Sequence, residues 1–306
     1  MKKISMIIAF VLGMASIASA CDICGCGAGS AYLGILPDFN TRIIGLRYRY
    51  NAVQTHVGPG GTSTYLTTNE RYQTVEIWGG WNFGKRWRVM AYVPLSFNSK
   101  TSQEEDASKT GLGDAGIQTM YHVLNTKNTM VERLLVQDLW IGAGVKLPTG
   151  KYEPADKETS GQSANLFQLG TGSFDFLATA MYDVRLQDAG LNVSASYKVN
   201  TTNKYGYNYG NKLSTNVQLY YKFNVKKVLT ISPNIGTGYE RSATDLDQEY
   251  KVFNSGGYVL FGTIGAELNY RKLAMGGNWQ PPLSQNLAEG VVRAHNKMMI
   301  HVAIMF

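Results

Sequence analysis

The chain is poor in cysteine. Cys21, Cys24 and Cys26 are the only three in 306 residues, and all lie near the amino terminus. No second CxxC pair and no histidine cluster elsewhere completes a four-ligand metal site. Long apolar runs are also missing after residue 20, and the mean hydropathy is -0.17. A helical membrane protein is thereby excluded, but a membrane β-barrel is not, because its strands alternate apolar and polar residues. There is no basic cluster either. Lys2 and Lys3 supply two of the net +7 charges, and the remaining Lys and Arg are scattered, which argues against nucleic acid as a partner. Catalytic constellations are lacking as well. The four histidines are His56, His122, His295 and His301, with no nucleophilic Ser motif, phosphate-binding Gly loop or paired carboxylate spacing beside them, so no enzyme is expected.

What the chain has in abundance is tyrosine, at 19 against 5 Trp, and glycine, at 33. That mixture suits an all-β protein of many strands and turns. Residues 1–20 read as a cleaved export signal: Lys2 and Lys3, then an apolar core from Ile4 to Ile17, then Ala18-Ser19-Ala20. Residues 21–39 form a cysteine-bearing amino-terminal segment, and residues 40–306 the barrel.

From residue 40 onward, hydrophobicity alternates with period two. In Thr41 to Tyr50, Ile44, Leu46, Tyr48 and Tyr50 oppose Arg47 and Arg49. In Arg71 to Phe83, Val75, Ile77, Trp81 and Phe83 oppose Thr74, Glu76 and Asn82. The pattern recurs to the last segment, where Met298, Ile300, Val302, Ile304 and Phe306 oppose Lys297, Met299 and His301. One stretch changes phase: Phe167 to Tyr182 is expected to be a single strand with a bulge at Gly170 or Gly172. Residues 272–280 give a weak, Gly-rich strand. The joints at 53–69, 98–110, 149–163, 200–211, 242–255 and 281–291 are long and polar. Those at 84–86, 183–189, 224–227 and 270–272 are short, and 125–136 is intermediate. Long and short joints alternate across about twelve antiparallel strands, as in a transmembrane β-barrel with short turns on the periplasmic side. Trp81, Phe83 and Trp87 flank the first short turn, where an aromatic girdle belongs. The terminal Phe306 fits delivery by the outer-membrane barrel assembly machinery.

Gly111-Leu112-Gly113-Asp114, Leu147-Pro148-Thr149-Gly150 and Gln168-Leu169-Gly170-Thr171-Gly172-Ser173, in this order and spacing, resemble the outer-membrane channel family of the phenol meta-cleavage pathway type. That family is distantly similar to the long-chain fatty-acid and aromatic-hydrocarbon transporters. The resemblance implies a monomeric barrel that passes small, often hydrophobic molecules by diffusion. Under it, the apolar stretch within residues 27–40 reads either as a plug in the lumen or as a tether beneath it.

The barrel alternation turns Arg47, Arg49, Arg88, Lys146, Lys198, Lys222 and Lys297 inward with Glu76, Asp114, Asp175 and Glu267. These residues either favour anions in the lumen or pair with one another and fill it. Cys24 and Cys26, two residues apart across Gly25, could grip copper or zinc. Cys21 follows the cleavage pattern and is a candidate for lipidation, although Ala18 departs from the usual lipobox. A single disulfide without catalytic role, Cys21–Cys24 or Cys21–Cys26, is the plainer alternative. The expectation is a passive outer-membrane channel for small, hydrophobic or anionic solutes, surrounded by outer-membrane lipids and without a resident cofactor. The alternatives are a metal-handling barrel or a structural barrel with a closed lumen.

Overall fold

The computed structural model describes residues 41–103, 106–130, 133–156, 165–226 and 228–306. The export signal, the segment around residues 27–39, the metal candidates Cys24 and Cys26 and the lipidation candidate Cys21 all lie outside these residues.

The described chain forms a closed antiparallel barrel of 12 strands. They are β1 (Ile43–Thr55), β2 (Thr68–Phe83), β3 (Trp87–Thr101), β4 (Asp106–Leu112, continued by Gly116–Met130), β5 (Arg133–Lys146) and β6 (Asp175–Leu186). The second half adds β7 (Ala189–Val199), β8 (Lys212–Tyr221, continued by Phe223–Val225), β9 (Leu229–Ser242), β10 (Gly257–Tyr270), β11 (Leu273–Gln280, continued by Pro282–Leu287) and β12 (Arg293–Met305). Each strand pairs with its sequence neighbours, and β1 closes the ring on β12 from Ile43↔Met305 to Gln54↔Arg293. Closure pairs the central part of each strand on both sides, so the backbone groups there are satisfied within the wall.

Register sorts the side chains by face. Ile77 stands opposite Leu46 on one side and Val93 on the other, while Leu46 also meets Val302. All four point outward and are exposed, as are Ile117, Ile141, Phe176, Leu219, Ile235, Ile264 and Ile300. So broad an apolar exterior is unfavourable in water and suits lipid. No helix among the described residues is long and apolar enough to cross a membrane, so the crossing elements are the strands. Trp81 packs edge-on against Phe306 at 5.3 Å, and Trp87 lies 4.8 Å from Tyr121, which gives the tight-turn end an aromatic rim.

Three expectations need correction. The joint at 98–110 is mostly a β3–β4 hairpin, paired from Leu95↔Leu112 to Thr101↔Asp106. The joint at 281–291 contains the second half of β11, paired with β10. The first stretch is polar on both faces, and the second opens on Pro281 and Pro282 with only Leu283 and Leu287 among polar residues, so a hydrophobic period has little to detect in either. The third correction is larger. Residues 165–174 are not the start of β6, and no bulge rescues the phase. The strand begins at Asp175, and Asn165 to Thr171 lie buried one after another. This infolded segment is apolar and polar by turns because it is enclosed on all sides by the barrel interior.

Candidate functional site

The glycines of the three short motifs allow a close approach of chain segments. A Cβ on Gly150 would lie 2.7 Å from the Leu169 carbonyl oxygen, and one on Gly170 would lie 2.7 Å from Gly150 Cα. Gly150 and Gly170 therefore stack backbone on backbone, which no larger residue permits. Around them the motifs converge. The Thr149 hydroxyl donates to the Gly113 carbonyl at 2.7 Å and accepts from the Ala115 N–H at 2.8 Å. Asp114 accepts from the N–H groups of Gly150 and Thr171, both at 2.9 Å.

At the centre of this knot is Lys146. Its ammonium lies 2.6 Å from Asp114 and 2.7 Å from Asp175, and it also donates to the Thr171 hydroxyl. Ser173 donates to Asp175 at 2.8 Å. One cation thus holds two buried carboxylates and locks the infolded segment to β4, β5 and β6. Farther along, Gln168 exchanges hydrogen bonds with the Glu153 backbone at 2.8 and 2.9 Å, and Asn98 of β3 donates to the Gln168 carbonyl at 3.1 Å.

A second cluster lies on the opposite side of the ring. Arg47 stands between Glu76 and His301 in the register. Glu76 accepts from Arg49 at 2.9 Å and forms an ion pair with Arg47 at 3.2 Å, and the Arg47 guanidinium lies 4.8 Å over Trp78. Glu267 reaches His301 at 3.2 Å across Gly276, which separates them in the register. A Cβ on Gly276 would strike the Glu267 carboxylate, so this glycine is the opening through which the pair meets. A third cluster joins Glu240 to Lys297 at 2.8 Å and Lys212 at 3.2 Å.

The remaining inward candidates are spread apart. Lys198 is buried and stands opposite Lys212. Near the tight-turn end, Arg88 donates to Asn82 at 2.7 Å and to the Thr41 carbonyl at 2.8 Å, and Lys222 lies 5.5 Å over the Tyr220 ring. Sequence reasoning missed Glu240 and Lys212, which fall at strand ends. It also missed Asp138, which pairs with His122 at 2.8 Å beneath a Trp140 ring stacked at 3.9 Å. No spacing along the sequence joins these partners, since each pairing spans strands.

The long-connection end carries a structured cap. Tyr207–Asn208, Leu246–Asp247 and Tyr250–Lys251 form a small sheet of their own. Tyr152, Tyr207, Tyr209 and Val252 form a buried cluster, and Tyr209 donates to the Asn165 carbonyl at 3.0 Å. Tyr207 donates to Asp245 at 2.6 Å, and burial together with that carboxylate holds its phenol well above the ordinary range. Replacing Tyr207 with Phe is expected to cost this cap about 1–3 kcal/mol, the usual toll of leaving a buried acceptor short of a donor. Limited proteolysis of the folded barrel should then cut faster within residues 201–210 or 243–256, with the strands intact.

These features define a class: a closed antiparallel membrane-type β-barrel whose interior carries paired charges and an infolded segment. The chain is similar to a crystallised outer-membrane channel of Pseudomonas putida F1, at 12% identity over 89% of this chain and 100% of that one, with a TM-score of 0.60. It is also similar to the β domain of the Bordetella autotransporter BrkA (8% identity, 86% of this chain and 99% of that one, TM-score 0.49). A Pseudomonas aeruginosa FadL homologue shows 11% identity over 87% of this chain and 90% of that one, with a TM-score of 0.42. No protein-family model and no curated protein sequence matches the chain. At these identities the first likeness establishes the fold.

Proposed function

We propose that this chain is a passive outer-membrane channel for small molecules, inserted with its tight-turn end toward the periplasm. The observation that carries this reading is the inversion of the wall. Its exterior is apolar, and its interior carries buried charged groups of both signs, such as Arg47 with Glu76 and Lys146 with Asp114 and Asp175. A barrel that served only as a closed scaffold would gain nothing from that, because burying ion pairs is seldom better than packing apolar groups. The inward groups that keep some exposure, such as Arg49 and Lys297, act as a polar lining that selects among small solutes. The fold likeness to the P. putida channel, which extends over that protein's whole length, supports the same reading.

Liposomes containing the refolded barrel should swell in iso-osmotic solutions of small solutes, at rates that fall with solute size. Vesicles that stay impermeable to every solute tried, while the protein is folded in them, would sink the proposal.

A further inference from the structure

The tight-turn end of the barrel joins its aromatic rim to a run of cations. The Arg42 guanidinium lies 5.9 Å over the Trp81 ring, and the Arg42 carbonyl accepts from the Phe306 N–H at 3.0 Å. Arg42 therefore stands between two outward rings carried by the strands on either side of it. Arg271 lies 5.4 Å over Tyr270, and Arg86 donates to the Tyr121 hydroxyl at 2.9 Å. Lys85 and Lys272 complete the arc, Lys272 where its carbonyl accepts from the Met305 N–H at 2.7 Å. Arg42, Lys85, Arg86, Arg271 and Lys272 are all exposed.

No side-chain carboxylate of the arc answers these charges. Aspartate and glutamate are absent from residues 41–50, 79–92, 116–124, 268–275 and 300–306, the stretches that form it. The long-connection end differs: there Lys109 pairs with Asp156, and Lys151 with Glu153 at 2.7 Å. The side on which the cations lie points to their partner. Trp81, Phe83, Trp87, Tyr270 and Phe306 are exposed on the outer face of the wall, the face that suits lipid. Guanidiniums laid over such rings sit at the level where an apolar wall gives way to headgroups. A soluble acidic protein would meet the turn tips but not the sides of these rings. An amphiphile with an anionic head meets both the cations and the rings.

We propose that this arc binds the headgroups of anionic phospholipids, with the phosphate against Arg42, Arg86, Arg271, Lys85 and Lys272 and the acyl chains along the neighbouring rings. The binding requires no rearrangement of the barrel, and it is independent of whether the lumen conducts. Only its assignment to the periplasmic leaflet rests on the orientation proposed above.

The test uses the refolded full barrel in phosphatidylcholine vesicles that contain a fixed fraction of dibrominated phosphatidylglycerol or of dibrominated phosphatidylcholine. Trp78 and Trp140 face the interior, so on a Trp279→Phe background the lipid-facing reporters are Trp81 and Trp87. Their quenching should show phosphatidylglycerol binding about fivefold tighter than phosphatidylcholine, the effect of roughly one interfacial cation. The triple change Arg42→Gln, Arg86→Gln, Arg271→Gln should bring the two lipids to parity. Arg293→Gln, at the opposite end, should leave the preference intact. Raising salt from 0.1 to 1 M shortens the screening length from ~10 to ~3 Å and should also reduce the preference, which checks the charge dependence without any variant. Equal quenching by both lipids at low salt would overturn the proposal. So would a preference that survives the triple change, or one lost equally in Arg293→Gln. Liposome swelling is measured separately. A lipid preference without swelling keeps the arc and removes the channel reading, and swelling without a preference does the reverse.

Discussion

Replacing Lys146 with Met is expected to destabilise the folded barrel by about 3–5 kcal/mol, because it strands two charges in a dry interior. Asp114 and Asp175 are almost wholly enclosed, and Lys146 is the cation that lies within 2.7 Å of both. Without it, the carboxylates repel one another at short range, and only neutral donors remain: the N–H groups of Gly150 and Thr171 on Asp114, and the Thr201 N–H and Ser173 hydroxyl on Asp175. The triple change Lys146→Met, Asp114→Asn, Asp175→Asn removes all three charges and should recover most of the loss. Urea unfolding in lipid vesicles, followed by tryptophan fluorescence and by mobility on cold gels, measures both. A single mutant as stable as the parent would show that the knot is not held by charge.

The second large effect concerns Gly170. A valine there would drive its side chain into Asp114 and into Gly150 Cα, which a Cβ alone would approach to 2.7 Å. Neither neighbour can yield, since one is backbone and the other is fixed by Lys146. The cost of such overpacking is typically about 1–3 kcal/mol, and the cheapest relief is expulsion of the infolded segment from the lumen. The strands pair without any help from this segment, so the barrel itself should persist. The expected result is a single-channel conductance several times that of the parent, with unchanged strand content by circular dichroism. Gly170→Ala should give a smaller change in the same direction. Unchanged conductance in a folded Gly170→Val barrel would mean that the segment does not obstruct the path.

Much of the architecture was legible from residue types. The outward set Ile44, Leu46, Ile77, Ile300 and Ile304 and the inward set Arg47, Glu76, Lys146 and Asp175 follow from period-two alternation, because a pleated strand sends neighbours to opposite faces. The short joints at residues 84–86 and 270–272 were equally plain. The phase error at Phe167 to Asp175 had a physical origin: periodicity records a two-sided environment, and a segment enclosed within the lumen has only one.

The sequence by itself determined that this chain makes a twelve-stranded barrel, apolar outside and charged inside, because alternation and joint length are local properties. The tertiary structure alone decided which charges meet. Glu267 finds His301 only because the register of three strands sets the side-chain-free Gly276 between them. Likewise Gly113-Asp114, Thr149-Gly150 and Gly170-Thr171 become one knot around Lys146 only when residues 165–173 fold inward. Those contacts link positions far apart in the chain, and their energy depends on burial, which no residue carries in its own identity.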